Sequence, residues 1–244
     1  MLEIMGFTKK YGSFTAVDDI AIKAGRGEIF GFLGPNGAGK TTTIKSITGL
    51  VKPDAGKICI DGVCLKEYPL EYKKKFALIP DNPYMFEKLR GIEYIEFVSS
   101  IYGVSEDNFK KRFKRYSEVF KTGGFMNDFI ESYSHGMRQK LLLTASMMHK
   151  PDVLILDEPM VGLDPRSKKT LINELKKLSA EGMTVFMSTH SIETAEEVCT
   201  NVGIIDKGKI VAVGTMEEIK NSTKSSRLEE VFFKLTEENY GDDE

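Results

Sequence analysis

Apolar positions along the chain follow two rhythms that replace one another repeatedly. Short β-rich runs at Leu2–Phe7, Ile20–Lys23, Glu28–Leu33, Lys57–Ile60 and Phe76–Pro80 predict strands. A helix is predicted from Lys40 to about Leu50, with a turn at Pro53-Asp54-Ala55-Gly56 and a hairpin turn at Asp61-Gly62. From about Lys88 to Ser132 the spacing becomes helical. Phe109, Phe113, Tyr116 and Phe120 recur at i, i+4, i+7 and i+11, with lysines and arginines opposite them. A helix from Met137 then leads into a strand at Val153–Asp157, followed by a helix from Pro165 to about Ala180. Met183–Ser188 reads as a strand and Ile192–Cys199 as a helix. Val202–Asp206 and Ile210–Val213 pair around Lys207-Gly208-Lys209. This alternation predicts an α/β fold with one inserted helical lobe.

The joint between the third strand and the first helix carries chemistry. Gly34-Pro35-Asn36-Gly37-Ala38-Gly39-Lys40-Thr41 fits G-x-x-x-x-G-K-[ST] without mismatch, and Thr42 follows. Glycines let backbone N–H groups converge on phosphate oxygens, and the helix N-terminus adds partial positive charge. Lys40 is placed for the β- and γ-phosphates, and Thr41 can offer its hydroxyl to Mg2+. The motif predicts a nucleoside triphosphate site on a P-loop NTPase core.

Val153-Leu154-Ile155-Leu156-Asp157-Glu158 reads as a buried parallel strand ending in two acids, at the edge where open α/β sheets bind ligands. Asp157 is the candidate metal-side acid, and Glu158 the group that polarises an attacking water. His190, after Met187-Ser188-Thr189, is placed to contact the γ-phosphate. Asp164 before Pro165 is a good helix start, and an interface role is compatible with that.

With these residues in place, the chain resembles the ATP-binding subunit of ABC transporters over nearly its whole length. The family's Leu-Ser-Gly-Gly-Gln signature corresponds to Tyr133-Ser134-His135-Gly136-Met137, which keeps Ser134 and Gly136. This form resembles the exporter-type subfamily whose membrane subunits are separate polypeptides. The resemblance implies a head-to-tail dimer, homomeric or heteromeric, with two ATP molecules at the interface. Each phosphate loop would face the partner's Ser134, His135, Gly136 and Met137. It also implies adenine stacking on Tyr11 with Val17 nearby, communication across the dimer through Asp164, and a switch role for His190. Asp81, after Ala77-Leu78-Ile79-Pro80, stands where the family has a glutamine that senses Mg2+. A carboxylate there could ligate the metal directly, and Asp81-Asn82-Pro83 is also plain turn chemistry.

The fold expected is therefore α/β, a P-loop NTPase core with an antiparallel β subdomain and an inserted α-helical subdomain. The core spans about 1–80 and 137–222, the helical subdomain about 81–136, and a C-terminal helix (Arg227–Leu235) with an acidic tail about 223–244.

Charge and composition narrow the function. Net charge is −2, so no global field recruits nucleic acid. Seven acids and one lysine between Glu229 and Glu244 contrast with six basic residues and one acid between Lys110 and Lys121. No apolar run reaches the roughly 18 residues of a membrane span, and the N-terminus lacks signal-peptide features. Cys59, Cys64 and Cys199 are scattered, without metal-ligand spacing, and suggest a reducing cytosol. The resemblance to ABC transporter subunits then implies a cytoplasmic chain, peripheral on the inner face of the cell membrane, with ATP and Mg2+ as cofactors and an integral membrane permease as partner. The alternative is a soluble ABC-type ATPase of cofactor-cluster assembly. A DNA-maintenance role is disfavoured because only 117 positions separate Lys40 from Asp157, without sustained heptads between them.

Overall fold

The computed structural model describes residues 1–82, 84–222 and 232. Two sheets carry the fold. Strands β1 (Leu2–Tyr11), β2 (Phe14–Ala24), β4 (Ala55–Ile60) and β5 (Val63–Cys64) form an antiparallel sheet in the order β2-β1-β4-β5. Strands β3 (Ile29–Leu33), β6 (Phe76–Ile79), β7 (Val153–Asp157), β8 (Thr184–Thr189), β9 (Asn201–Asp206) and β10 (Lys209–Thr215) form the second, in the order β10-β9-β3-β8-β7-β6. All neighbours in this second sheet are parallel except β10, which returns antiparallel on β9 through the turn around Gly208.

Burial explains the composition of these strands. Every residue of β3 is buried, as are Val153–Leu156 of β7, so no polar face alternates. Phe30 and Phe186 stack with centroids 5.6 Å apart, fixing β3 against β8.

The helices are α1 (Lys40–Ile47), α2 (Pro69–Lys74), α3 (Gly91–Ile101), α4 (Glu106–Phe120), α5 (His135–Ser146), α6 (Pro165–Ala180), α7 (Ile192–Val198) and α8 (Met216–Ser222), with a 3-10 turn at Ile130–Ser132. The aromatic stripe of α4 serves two clusters. Phe109 and Phe113 pack with Ile95, Ile130 and Leu141, whereas Tyr116 and Phe120 pack with Leu156, Leu175 and Met187. One helix thus joins the inserted segment to the sheet layer.

Several expectations shift. Helix α1 stops at Ile47 because Gly49 turns left-handed at φ +73° and Leu50 N–H bonds back to the Lys45 carbonyl. Strand β4 starts at Ala55, inside the segment read as a turn. Helix α5 starts two residues early, where Ser134 caps it. Helix α2 was not foreseen. Cys59 and Cys64, read from sequence as scattered, face each other across the hairpin and are joined by a disulfide. Among the described residues, no helix is long and apolar enough to cross a membrane. The C-terminal helix read at Arg227–Leu235 lies outside the described residues apart from Phe232, which packs near Ala195, Val202 and Ile219.

Candidate nucleotide site

The phosphate loop leaves β3 at Gly34 and enters α1 at Lys40. Its glycines are steric requirements at two points. A Cβ on Gly34 would lie 2.3 Å from the Ile205 carbonyl oxygen. Gly39 has φ +112°, and a Cβ there would lie 2.8 Å from the Ala16 carbonyl. Val17 is fully buried beneath the loop, so it supports Gly39 from below and does not line the cavity. The Lys40 ammonium bonds back to the carbonyls of Gly34 and Pro35 at 2.6 and 3.0 Å. Burial lowers its pKa, while Glu158 and Asp157 pull it up.

A cavity of about 330 Å³ opens over this loop. Pro35, Asn36, Gly37, Gly39, Lys40, Thr41 and Thr42 form one wall, and Asp81, Asp157 and Glu158 form another. Tyr11 and Phe14, paired across the β1–β2 turn, close a third side, both well exposed. Gly34 and Ala38 sit behind the loop: Ala38 is buried, with its Cβ under the Gly34 backbone.

The carboxylates are held by sheet register. Asp157 stands opposite Ser188 on β8, whose hydroxyl donates to Asp157 Oδ1 at 2.5 Å. Burial raises the Asp157 carboxyl above the usual carboxylate range. The Ser188 hydrogen bond opposes this, and the charge of Asp81 raises it further. Glu158 takes a left-handed conformation at φ +49°, uncommon for a residue with a side chain. Its N–H reaches the Ser188 carbonyl and hydroxyl at 3.3 and 3.2 Å. That twist aims the Glu158 carboxylate at His190 Nδ1, 2.9 Å away. His190 therefore meets the cavity through Glu158 and is not itself among the lining residues.

Magnesium fits the donor set. Among the described residues, no three His, Cys, Asp or Glu side chains form a metal cage. A magnesium ion bound with a nucleotide needs only one or two carboxylates beside phosphate oxygens. The like charge of Asp81 raises the proton affinity of Asp157, and the Thr41 hydroxyl lies on the same cavity.

The signature residues lie elsewhere. Ser134 caps α5 by accepting from Met137 N–H at 3.3 Å, and His135 and Gly136 form the first turn. None of Ser134, His135, Gly136 or Met137 lines the phosphate-loop cavity. They are joined instead to the segment that follows Glu158. The His135 ring lies against Gly162 so closely that a Cβ there would sit 2.5 Å away, and Gln139 Nε2 donates to the Pro159 carbonyl. Asp164 ends that segment and caps α6, its Oδ1 accepting from the N–H groups of Arg166 and Ser167 at 3.0 Å. The Ser167 hydroxyl, donating to Oδ2 at 2.5 Å, and then these N–H bonds hold its carboxyl below the usual range.

Phe14, Ser188 and Gln139 were not singled out from sequence. Only Phe14, next to Tyr11 in a hairpin, left a local signal.

Comparison with known proteins places this geometry. Residues 17–161 match the family model described as ABC transporter. The linearmycin resistance ATP-binding protein LnrL of Bacillus subtilis (strain 168) is 37% identical over 219 residues, covering 90% of this chain and 70% of its own. The ABC-type transporter ATP-binding protein EcsA of the same organism is 31% identical across 99% of this chain and 98% of its own. A solved structure of the ATP binding subunit of an ABC transporter superposes with a TM-score of 0.93 at 32% identity, covering 96% of this chain and 99% of that one. The family match, these identities and this superposition agree: the chain belongs to the ABC transporter family, as an ATP-binding subunit with ATPase activity.

Proposed function

We propose that this chain is the motor of an exporter whose membrane-crossing subunit is a separate polypeptide, and that it works as a dimer closed around two ATP molecules. The observation that carries this reading is the separation within one chain of two complementary half-sites. The phosphate-loop cavity has loop amides, a lysine and carboxylates on its walls, while Ser134 to Met137 present a helix N-terminus away from it. A helix start with a serine hydroxyl and free N–H groups favours anions. Two copies arranged head to tail would give each ATP a phosphate loop from one chain and a signature turn from the other.

Within that dimer, Tyr11 and Phe14 stack on adenine, and the loop amides with Lys40 bind the phosphates. Lys40 exchanges its Gly34 and Pro35 carbonyl partners for phosphate oxygens. Thr41, Asp157 and Asp81 would hold Mg2+, which when bound neutralises charge on the β- and γ-phosphates. Glu158 accepts the proton of the attacking water. His190 fixes the Glu158 carboxylate through their 2.9 Å contact. Asp164 and the 158–164 segment link this base to the signature turn through His135 and Gln139. The segment of about 81–136 transmits the change to the membrane subunit. Closure is driven only by tighter binding of ATP than ADP in the closed state, because equal affinity shifts nothing. Resemblance to a linearmycin resistance ATP-binding protein supports a part in drug export.

The test is Glu158→Gln. With saturating ATP this variant should elute as a dimer on size exclusion and retain nucleotide, while its hydrolysis falls on the order of 100-fold or more. A Glu158→Gln protein that binds ATP and stays monomeric would sink the sandwich.

A further inference from the structure

On the N-terminal side of the parallel strands, away from the phosphate loop, lies a second cavity of about 770 Å³. That volume is within the range of small-molecule sites. It sits at the junction of the inserted segment and the sheet layer, with α4 on one side and the starts of β7 and β8 on the other. Five cations line it: Lys111, Arg112 and Arg115 from α4, Lys150 before β7, and Arg26 before β3. Only Asp152 and Glu181 bring negative charge to the lining.

Those carboxylates are already engaged. Asp152 pairs with Lys75 at 2.9 Å, and Glu181 pairs with Arg115 at 3.0 Å. Arg115 also reaches the buried Glu174 at 3.3 Å, and Arg26 is held by Asp61 at 3.1 Å. Lys111, Arg112 and Lys150 have no carboxylate partner among the described residues. Arg112 donates to the Met148 carbonyl at 2.5 Å, which orients its guanidinium without neutralising it. Three uncompensated cations therefore converge on one concavity. Tyr116, Met147, Leu178 and Met183 add apolar surface to the lining.

We propose that this cavity is a second anion site, distinct from the nucleotide site, and that its ligand is a small polyphosphate. Guanidinium and ammonium groups on several sides suit an anion with several charged oxygens, and Arg112 keeps guanidinium donors beyond the one that holds Met148. A compact polyanion relieves the mutual repulsion of the lining cations. Because α4 supplies three of those cations and the core supplies Lys150 and Arg26, an occupant ties the inserted segment to the sheet layer. The site stands independently of the transport reading.

Calorimetric titration of the full chain with inorganic tripolyphosphate, without magnesium, tests this. Two sites are expected. Lys40→Ala should remove one and leave the other within twofold. Lys111→Gln with Lys150→Gln should weaken the other at least tenfold and spare the first. Both lysines are exposed, and an unchanged melting temperature verifies folding. A single site abolished by Lys40→Ala overturns the proposal, as do two sites indifferent to Lys111 and Lys150. A third arm neutralises Glu237, Glu238, Asp242, Asp243 and Glu244 to Gln or Asn. A second site that appears only in that variant would make the acidic C-terminal segment the occupant and overturn the small-anion assignment.

Discussion

Glu158 and His190 form the most informative contact in the site, because it changes what the histidine is for. From sequence, His190 is placed against the γ-phosphate; in the structure its Nδ1 bonds Glu158, and the ring does not line the cavity. If His190 acts by holding the base, its removal matters only while the base is there. His190→Ala should then lower the hydrolysis rate on the order of 10- to 100-fold, whereas Glu158→Gln/His190→Ala should match Glu158→Gln alone. Losses that multiply in the double variant would return His190 to an independent phosphate contact. Lys40→Ala provides the contrasting case. Losing charge-assisted hydrogen bonds of roughly 2–3 kcal/mol should raise the ATP Kd about 30- to 150-fold, measured by equilibrium binding. What was legible here follows from spacing. Residues 34–41, Asp157 and Glu158 declare themselves because their partners are chain neighbours or strand ends. Ser188 did not, because its bond to Asp157 depends on the β7–β8 register, a pairing across 31 residues that no local pattern encodes.

At the scale of elements, long periodic segments were readable and short ones were not. The four-aromatic stripe marked α4 as helical, without its start at Glu106, and the continuous apolar run of β7 marked that strand from Val153 to Asp157. Helix α2 has six residues and one buried side chain, Tyr72, so no periodicity could form. Its place is fixed by tertiary contact: the Tyr72 hydroxyl donates to the Ile47 carbonyl, and the ring packs 5.6 Å from Phe76. Cys59 and Cys64 are joined for the same reason, by a hairpin register invisible in their spacing. The connection after α5 carries a prediction of its own. His149 stacks on Tyr102 with centroids 3.8 Å apart, and its Nε2 lies 3.1 Å from the Phe76 carbonyl. Nδ1 is buried without a hydrogen-bond partner among the described residues, which suits the neutral ring. Burial lowers its pKa below the ordinary 6.5, and nearby Arg112 lowers it further, while the Phe76 carbonyl opposes both. The unfolded chain therefore takes up a proton before the folded one does, so stability is full above about pH 6.5 and declines as pH falls towards the depressed folded value. His149→Phe keeps the stack and removes the titrating group. Its denaturation midpoint should fall less steeply than the wild type's between pH 6.5 and 5. Parallel slopes in the two proteins would exclude His149 as the source.

For the whole molecule, the question is what covers the apolar surface beyond Asp81. Tyr84 is 94% exposed, Phe86 60% and Ile101 62%, and the Phe86 ring meets Phe97 edge-on at 5.6 Å. Isolated exposed apolar residues are ordinary, but aromatic side chains gathered beside a cavity of about 670 Å³ mark a contact surface. Its chemistry distinguishes the two readings of this ATPase. On the proposed transporter reading, the membrane subunit docks near the segment that follows Asp81, so that closure at Asp81 and Asp157 moves it. A cofactor-cluster ATPase would present the same face to soluble proteins. Phe86→Asp separates them. The residue packs on the surface and not in the core, so stability should change by no more than about 0.5 kcal/mol, and ATP binding should be unaffected. Burial of one phenylalanine in a partner is worth about 1.5–3 kcal/mol, so replacing it with a charge should cut partner recovery at least about tenfold. The measurement is co-purification from detergent-solubilised membranes, wild type against variant, with the recovered polypeptide identified by mass spectrometry. A hydrophobic membrane protein, held by the wild type and lost by Phe86→Asp, is the expected result. Recovery of only soluble proteins would favour the cluster-assembly reading, and a membrane partner retained by Phe86→Asp would move the docking surface elsewhere on the chain.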